Sequence, residues 1–101
     1  MDKVLQMIGM AKRAGKITTG EFLCEKSIKS KESALIIIAS DISDSSRKSI
    51  INSCKYYNVK YIEYADKQAL GNFTGGGERA AISVNDRRFA AAVMDKISIQ
   101  E

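Results

Sequence analysis

Apolar residues first recur at helical spacing. Val4, Leu5, Ile8 and Ala11 share one face of a helix over residues 2–14. Lys12 and Arg13 sit near its end, where cations offset the negative pole of the helix dipole, and Gly15 is well placed as the stop. A second helix is predicted over 19–31, with Phe22, Leu23 and Ile28 facing inward. "ALIIIA", residues 34–39, is short, unbroken in hydrophobicity and rich in isoleucine, as a strand buried on both faces must be. "SDISDSS" follows, dense in helix-capping residues. It leads into a helix over 44–57 with Ile50, Ile51, Cys54 and Tyr57 inward and Asn58 as a left-handed stop. "VKYIEY", 59–64, alternates apolar and polar residues and reads as a strand nearer an edge. Asp66 caps a short helix running to about Phe73, "TGGGE" (74–78) is a flexible loop, and "AAISV" (80–84) is a strand. A last helix over 86–97 is capped by Asn85 or Asp86, and a further short strand fits at 16–19.

The order is thus α, α, β, α, β, α, β, α. Strands alternating with helices predict an α/β fold: a three-layer α/β/α sandwich around a small mixed, largely parallel sheet. A chain of 101 residues predicts one domain over 1–101, with a core large enough to stand without disulfides or metal.

Composition adds little until it is located. The chain carries a net charge of +4. Residues 1–31 hold seven Lys or Arg against three Asp or Glu, and residues 32–101 hold nine against nine, so the excess lies in the first third. A local basic field favours a polyanionic partner, nucleic acid first among them. Cys24 and Cys54 form no CxxC pair and there is no histidine, so no metal site or cofactor is expected. Both read as reduced core thiols of a cytoplasmic protein. No run approaches the roughly 20 apolar residues that cross a bilayer, and residues 1–20 lack the apolar core of a signal peptide, so no membrane contact is expected.

Without histidine the commonest general base is missing, and no enzyme is expected. Asp41 and Asp44 stand where helix caps are wanted. "GNFTGGGE" lacks the spacing and lysine of a phosphate loop, and it follows a helix where that loop would follow a strand. "GKITTGEFLCEK", residues 15–26, is richer. Thr18 with Glu21 has the spacing of a capping box. Gly20 would then lie inside a first helical turn, at a cost of up to about 1 kcal/mol relative to alanine. That cost makes sense if a ligand approaches the backbone there. Free amides at a helix start suit phosphate oxygens, and Lys16 and Lys26 flank the turn.

The longer stretch "GMAKRAGKITTGEFLCEKSIKSKESALIIIASDISDSSRKSI", with "CKYYNVKYIEY", "ALGNFTGGGERAAISV" and "FAAAVMDKI", resembles the kink-turn RNA-binding ribosomal protein family. Its members include large-subunit proteins seven-Ae and thirty-e and bacterial YlxQ-type proteins. The likeness runs from about Val4 to Ile97. It implies an α/β/α sandwich and RNA binding without catalysis. The helix beginning near Gly20 would enter the groove of a sharply bent RNA stem, with ribosomal RNA the expected target, while loops at 41–43 and 75–79 close over it.

The resemblance assigns Gly20 to backbone approach, Lys26 to the helix lysine and Arg79 to the flipped-out nucleotides. The candidate RNA-binding residues are Gly15, Lys16, Thr19, Gly20, Glu21 and Lys26, with Asp41, Gly75, Gly76 and Arg79 from the loops. The expected partners are RNA and ribosomal or translation-related proteins, for a monomer associated with the ribosome. Phe22 and Leu23 depart from the family, many of whose members carry polar base readers at these positions. They motivate an alternative, a protein–protein adaptor on the same fold.

Overall fold

A computed structural model describes residues 2–100; Met1 and Glu101 of the expected 1–101 domain lie outside the described residues. The elements run α1 (Lys3–Arg13), β1 (Ile17–Thr19), α2 (Glu21–Lys29), β2 (Leu35–Ile38), α3 (Asp44–Tyr57), β3 (Tyr61–Glu63), α4 (Lys67–Phe73), β4 (Ala81–Val84) and α5 (Arg87–Gln100). The sheet order is β1-β4-β2-β3.

Alternation along the strands builds the three layers. Leu35, Ile37, Ala39, Ile82 and Val84 face α1, α4 and α5, meeting Val4, Ile8, Leu70 and Val93. Ile36, Ile38 and Ala81 face α2 and α3, meeting Cys24, Ile28, Ile50 and Cys54. All four residues of β2 are buried, and each isoleucine taken from water is worth about 1.5–3 kcal/mol.

The sheet is mixed, but not largely parallel. β2 and β3 pair in parallel; β4 runs antiparallel to both β1 and β2. The reason is the connection between β3 and β4. A crossover yields parallel strands when its helix carries the chain back across the sheet. α4 has only seven residues, about 10 Å of helix. The glycine loop then folds back to the start of α4, where the Arg79 amide donates to the Lys67 carbonyl at 3.0 Å. The chain therefore re-enters the sheet from the end it left, and β4 is reversed.

Helix ends follow local chemistry. Asp2, Ser43 and Asp66 accept N-terminal amides of α1, α3 and α4, and Asp86 accepts those of Arg88 and Phe89. Of the two aspartates expected at caps, Asp44 lies inside the first turn of α3, while Asp41 accepts the Lys67 amide of α4 at 2.9 Å. α1 ends in a Schellman motif: Gly15 is left-handed, its amide reaches the Lys12 carbonyl and the Lys16 amide reaches that of Ala11. Asn58 and Lys31 end α3 and α2 in the same way.

The capping box does not form. Thr18 is drawn into β1 opposite Ser83, and its hydroxyl accepts from Asn85 Nδ2 at 2.8 Å. The Glu21 carboxylate turns instead to α3, accepting from Ser46 Oγ at 3.3 Å. α2 consequently begins at Glu21, not 19, and Gly20 is its N-cap, outside the helix. The inner face differs as well, because it includes the polar Ser27. Cys24, Ser27 and Ile28 are buried, whereas Phe22 and Leu23, expected inside, are exposed.

The two buried helical glycines make the packing testable. A Cβ at Gly71 would lie 1.9 Å from the Gly77 carbonyl oxygen, whereas one at Gly9 has ordinary contacts from 3.5 Å outward. Gly71→Ala is expected to destabilise by about 1–3 kcal/mol through overpacking. Gly9→Ala is expected to be neutral or to stabilise by up to about 1 kcal/mol through helix propensity. Urea unfolding of the two variants checks the contrast, and equal effects would contradict it.

Candidate functional site

One end of the sheet gathers the Gly20 corner, the loop after β2 and the loop before β4. At the corner the Gly20 amide donates to the Ala81 carbonyl at 3.1 Å, and its own carbonyl accepts from Cys24 at 2.9 Å. Its φ of +94° is one that glycine adopts freely. A Cβ there would meet nothing within 4 Å, so the space above the corner is open. Gly20 has no side chain with which to cap the amides of the first turn. These carry the positive end of the helix dipole.

The neighbouring loop is held rigidly. The Ser40 amide donates to the Ala65 carbonyl, and Arg47 donates to the Ser40 carbonyl, to Glu63 at 2.9 Å and to Asp44 at 3.3 Å. In the glycine loop, Gly75 has a φ of +79°. Arg79 folds over Gly76 so closely that a Cβ there would be 2.2 Å from its Nη2. Arg79 Nε is buried with no hydrogen-bond partner among the described residues.

Of the sequence-expected residues, Gly20, Glu21, Asp41, Gly75, Gly76 and Arg79 converge at this end. Thr19 leads into it, paired with Ile82. Lys26 stands exposed on α2, beside a concavity of about 590 Å³ that it lines with Glu21, Phe22, Glu25, Lys29 and Ser49. Gly15 and Lys16 are not brought in. They lie at the other end of β1, about 13 Å away for four extended steps. There Gly15 terminates α1, and the Lys16 carbonyl accepts from Asn85.

Charge is also arranged differently from its order in the chain. Lys16, Lys31, Lys60, Arg87 and Arg88 are all exposed at the Gly15 end. Acidic groups collect at the Gly20 end but have structural partners: Asp44 and Glu63 pair with Arg47, Glu78 approaches Lys67 at 4.0 Å, and Asp41 and Asp66 accept amides of α4. Sequence reasoning missed this polarity because it depends on which strand ends meet.

Neither cysteine is poised for chemistry. Burial, then the neighbouring Cys54 and Glu21, pushes the Cys24 thiol up to about 12. Burial, then Glu25, pushes that of Cys54 up to about 11. Below pH 9.0, the ordinary thiol value, both thiols stay protonated whether the chain is folded or not, and their contribution to stability is complete. Above it the unfolded thiols ionise first, so stability falls as pH rises towards 11–12. Replacing both cysteines with alanine is expected to flatten the decline between pH 9 and 11, read by urea unfolding at stepped pH. An unchanged slope would remove the thiols as its cause.

Among the described residues no group of three or more His, Cys, Asp or Glu is placed to hold a metal ion, and no helix is long and apolar enough to cross a membrane. What remains is a rigid α/β/α sandwich with an open helix start between two loops. That class is matched by a family model: the ribosomal protein L7Ae/L30e/S12e/Gadd45 family, over residues 2–93. The chain belongs to this family. It is 32% identical over 84 residues to the RNA-binding protein YlxQ of Bacillus subtilis, covering 83% of this chain and 84% of that protein. It is 28% identical over 95 residues to the RNA-binding protein YlxQ of Enterococcus faecium, covering 94% and 91%. A Bacillus halodurans protein of unknown function superposes with a TM-score of 0.92 at 28% identity, over 97% of this chain and 99% of that one. The Giardia lamblia 15.5kD RNA binding protein superposes at 0.78 and 19% identity, over 93% and 81%, a likeness of fold.

Proposed function

We propose that this protein is a non-catalytic RNA-binding protein, one domain over its whole length, that grips a sharply bent structured RNA. The observation that carries the reading is the Gly20 corner. Its positive φ, the open space above it and the uncapped first turn of α2 lie between the loops holding Asp41 and Arg79. Phosphate oxygens are suited to such amides, and the close approach of a backbone needs a residue without a side chain. Both YlxQ relatives are named as RNA-binding proteins, which supports RNA as the ligand. The ligand class is a kink-turn, in ribosomal RNA, bound by a cytoplasmic monomer. Catalysis has no support: the chain has no histidine, and the acidic groups nearest the corner serve as caps or ion pairs.

The test is titration of a labelled kink-turn RNA, at two salt concentrations, against the same stem with its G·A pairs changed to Watson–Crick pairs. Tight binding to the kinked stem alone is expected. Equal, salt-sensitive binding to both would reduce the protein to a backbone binder, and binding to neither would favour the adaptor reading motivated by Phe22 and Leu23. Lys26→Ala is expected to weaken binding across RNA sequences and to lower the salt slope by about 1. Lys16→Ala, at the opposite end of β1, is expected to do less. The reverse ranking would move the RNA to the basic Gly15 end.

A further inference from the structure

The proposed interface contains a side chain that neither phosphate binding nor packing uses. Phe22, one residue into α2 beyond Glu21, is 79% exposed. The fold spends nothing to bury it, although a phenyl ring is among the most costly groups to leave in water. It lines the 590 Å³ concavity together with Lys26 and Lys29. Residues 22, 26 and 29 are spaced i, i+4 and i+7 and so form one stripe of the helix. The two carboxylates of that concavity are held by α3: Glu21 accepts from Ser46, and Glu25 accepts from Ser49 at 2.8 Å. Both carboxylates are thus turned towards α3, and the cations on the ring's own stripe are the two lysines.

We propose that Phe22 is a stacking platform for an unpaired base of the bound RNA, with Lys26 and Lys29 taking the adjoining phosphates. The inference rests on the RNA-binding reading and adds to it the nucleotide state that α2 selects. An aromatic face beside cations is the chemistry that holds single-stranded nucleotides, and it is tolerant of sequence because every base has a π-face. A protein partner would need a continuous apolar patch. Leu23, the other exposed apolar residue of this turn, lines a neighbouring concavity with Thr18, Ser27 and Ser30, and Lys26 borders both, so a cation stands at the margin of each apolar group. At the helix start, Phe22 would thus select an extruded base by its face, where a polar side chain would read a base edge.

The chain has no tryptophan, so Phe22→Trp introduces a single selective fluorophore at the site. The probes are a labelled kink-turn stem with bulged nucleotides and the same stem with abasic sites in the bulge. Phe22→Ala is expected to weaken binding of the first stem about 10- to 100-fold. Phe22→Trp is expected to bind like the parent and to lose fluorescence on the first stem but not on the abasic one. Because the position is exposed, both variants are expected to fold, as circular dichroism would verify. If the parent binds the stem and Phe22→Ala binds equally well, or if the introduced tryptophan stays bright in the complex, stacking is overturned and the RNA reading survives. A parent that binds neither stem overturns both.

Discussion

The contact on which this fold depends is between two backbones: the flank of α4 at Gly71 and the carbonyl of Gly77 in the loop that follows. Any side chain at residue 71 would occupy the place of that carbonyl. Because the loop can lie against the helix it has just left, the Arg79 amide reaches the Lys67 carbonyl and the chain returns to the end of the sheet from which α4 started. From this return follow the reversed direction of β4, its insertion between β1 and β2 and the presence of the glycine loop beside the Gly20 corner. A longer helix crossing the sheet would have made a parallel strand and left the corner with a single loop. The three segments of the proposed RNA interface are therefore assembled by the same contact that sets the topology.

The corner is rigid for related reasons. Gly20 is tied to Ala81 at the start of β4, Thr18 to Asn85 just beyond its end, and Glu21 to Ser46 of α3. Arg47 then links the loop after β2 to β3 and to its own helix. Strand pairing, a short polar network and an ion-paired arginine thus fix the helix start from three sides, without a side-chain cap. An uncapped helix start would ordinarily be a weak point, but here the stability comes from the sheet, and the amides stay available to a ligand. Of the acidic residues at this end, Asp44, Glu63 and Glu78 lie against cations, Asp41 and Asp66 accept backbone amides, and Glu21 accepts the Ser46 hydroxyl, so each is held by the fold.

Much of the fold was legible because its signals are local. Gly15, Asn58, Asp66 and Asp86 mark helix ends by chemistry that operates within a few residues, and the run 34–39 could be read as a doubly buried strand from hydrophobicity alone. Strand direction was not legible, since it depends on how Gly71 packs against residues six positions later. The start of α2 was misplaced because Thr18 and Glu21 satisfy a local rule that β1–β4 pairing overrides. Its inner face was misread because it includes a polar residue, Ser27, while two apolar neighbours point outward.

That last misreading bears on the site. A sequence rule that sends large apolar residues inward is sound where the core decides, and it fails where a surface has another use. The inner stripe of α2 needs only small or slender groups, Cys24, Ser27 and Ile28, because the helix lies close over β4 and packs tightly against α3. The alternative of a polar residue at position 22 would cost the fold little, since the side chain makes no core contact. The phenyl ring at Phe22 is therefore not required by folding, and its place beside the uncapped amides of α2 and two exposed lysines links it to the RNA proposed for the corner.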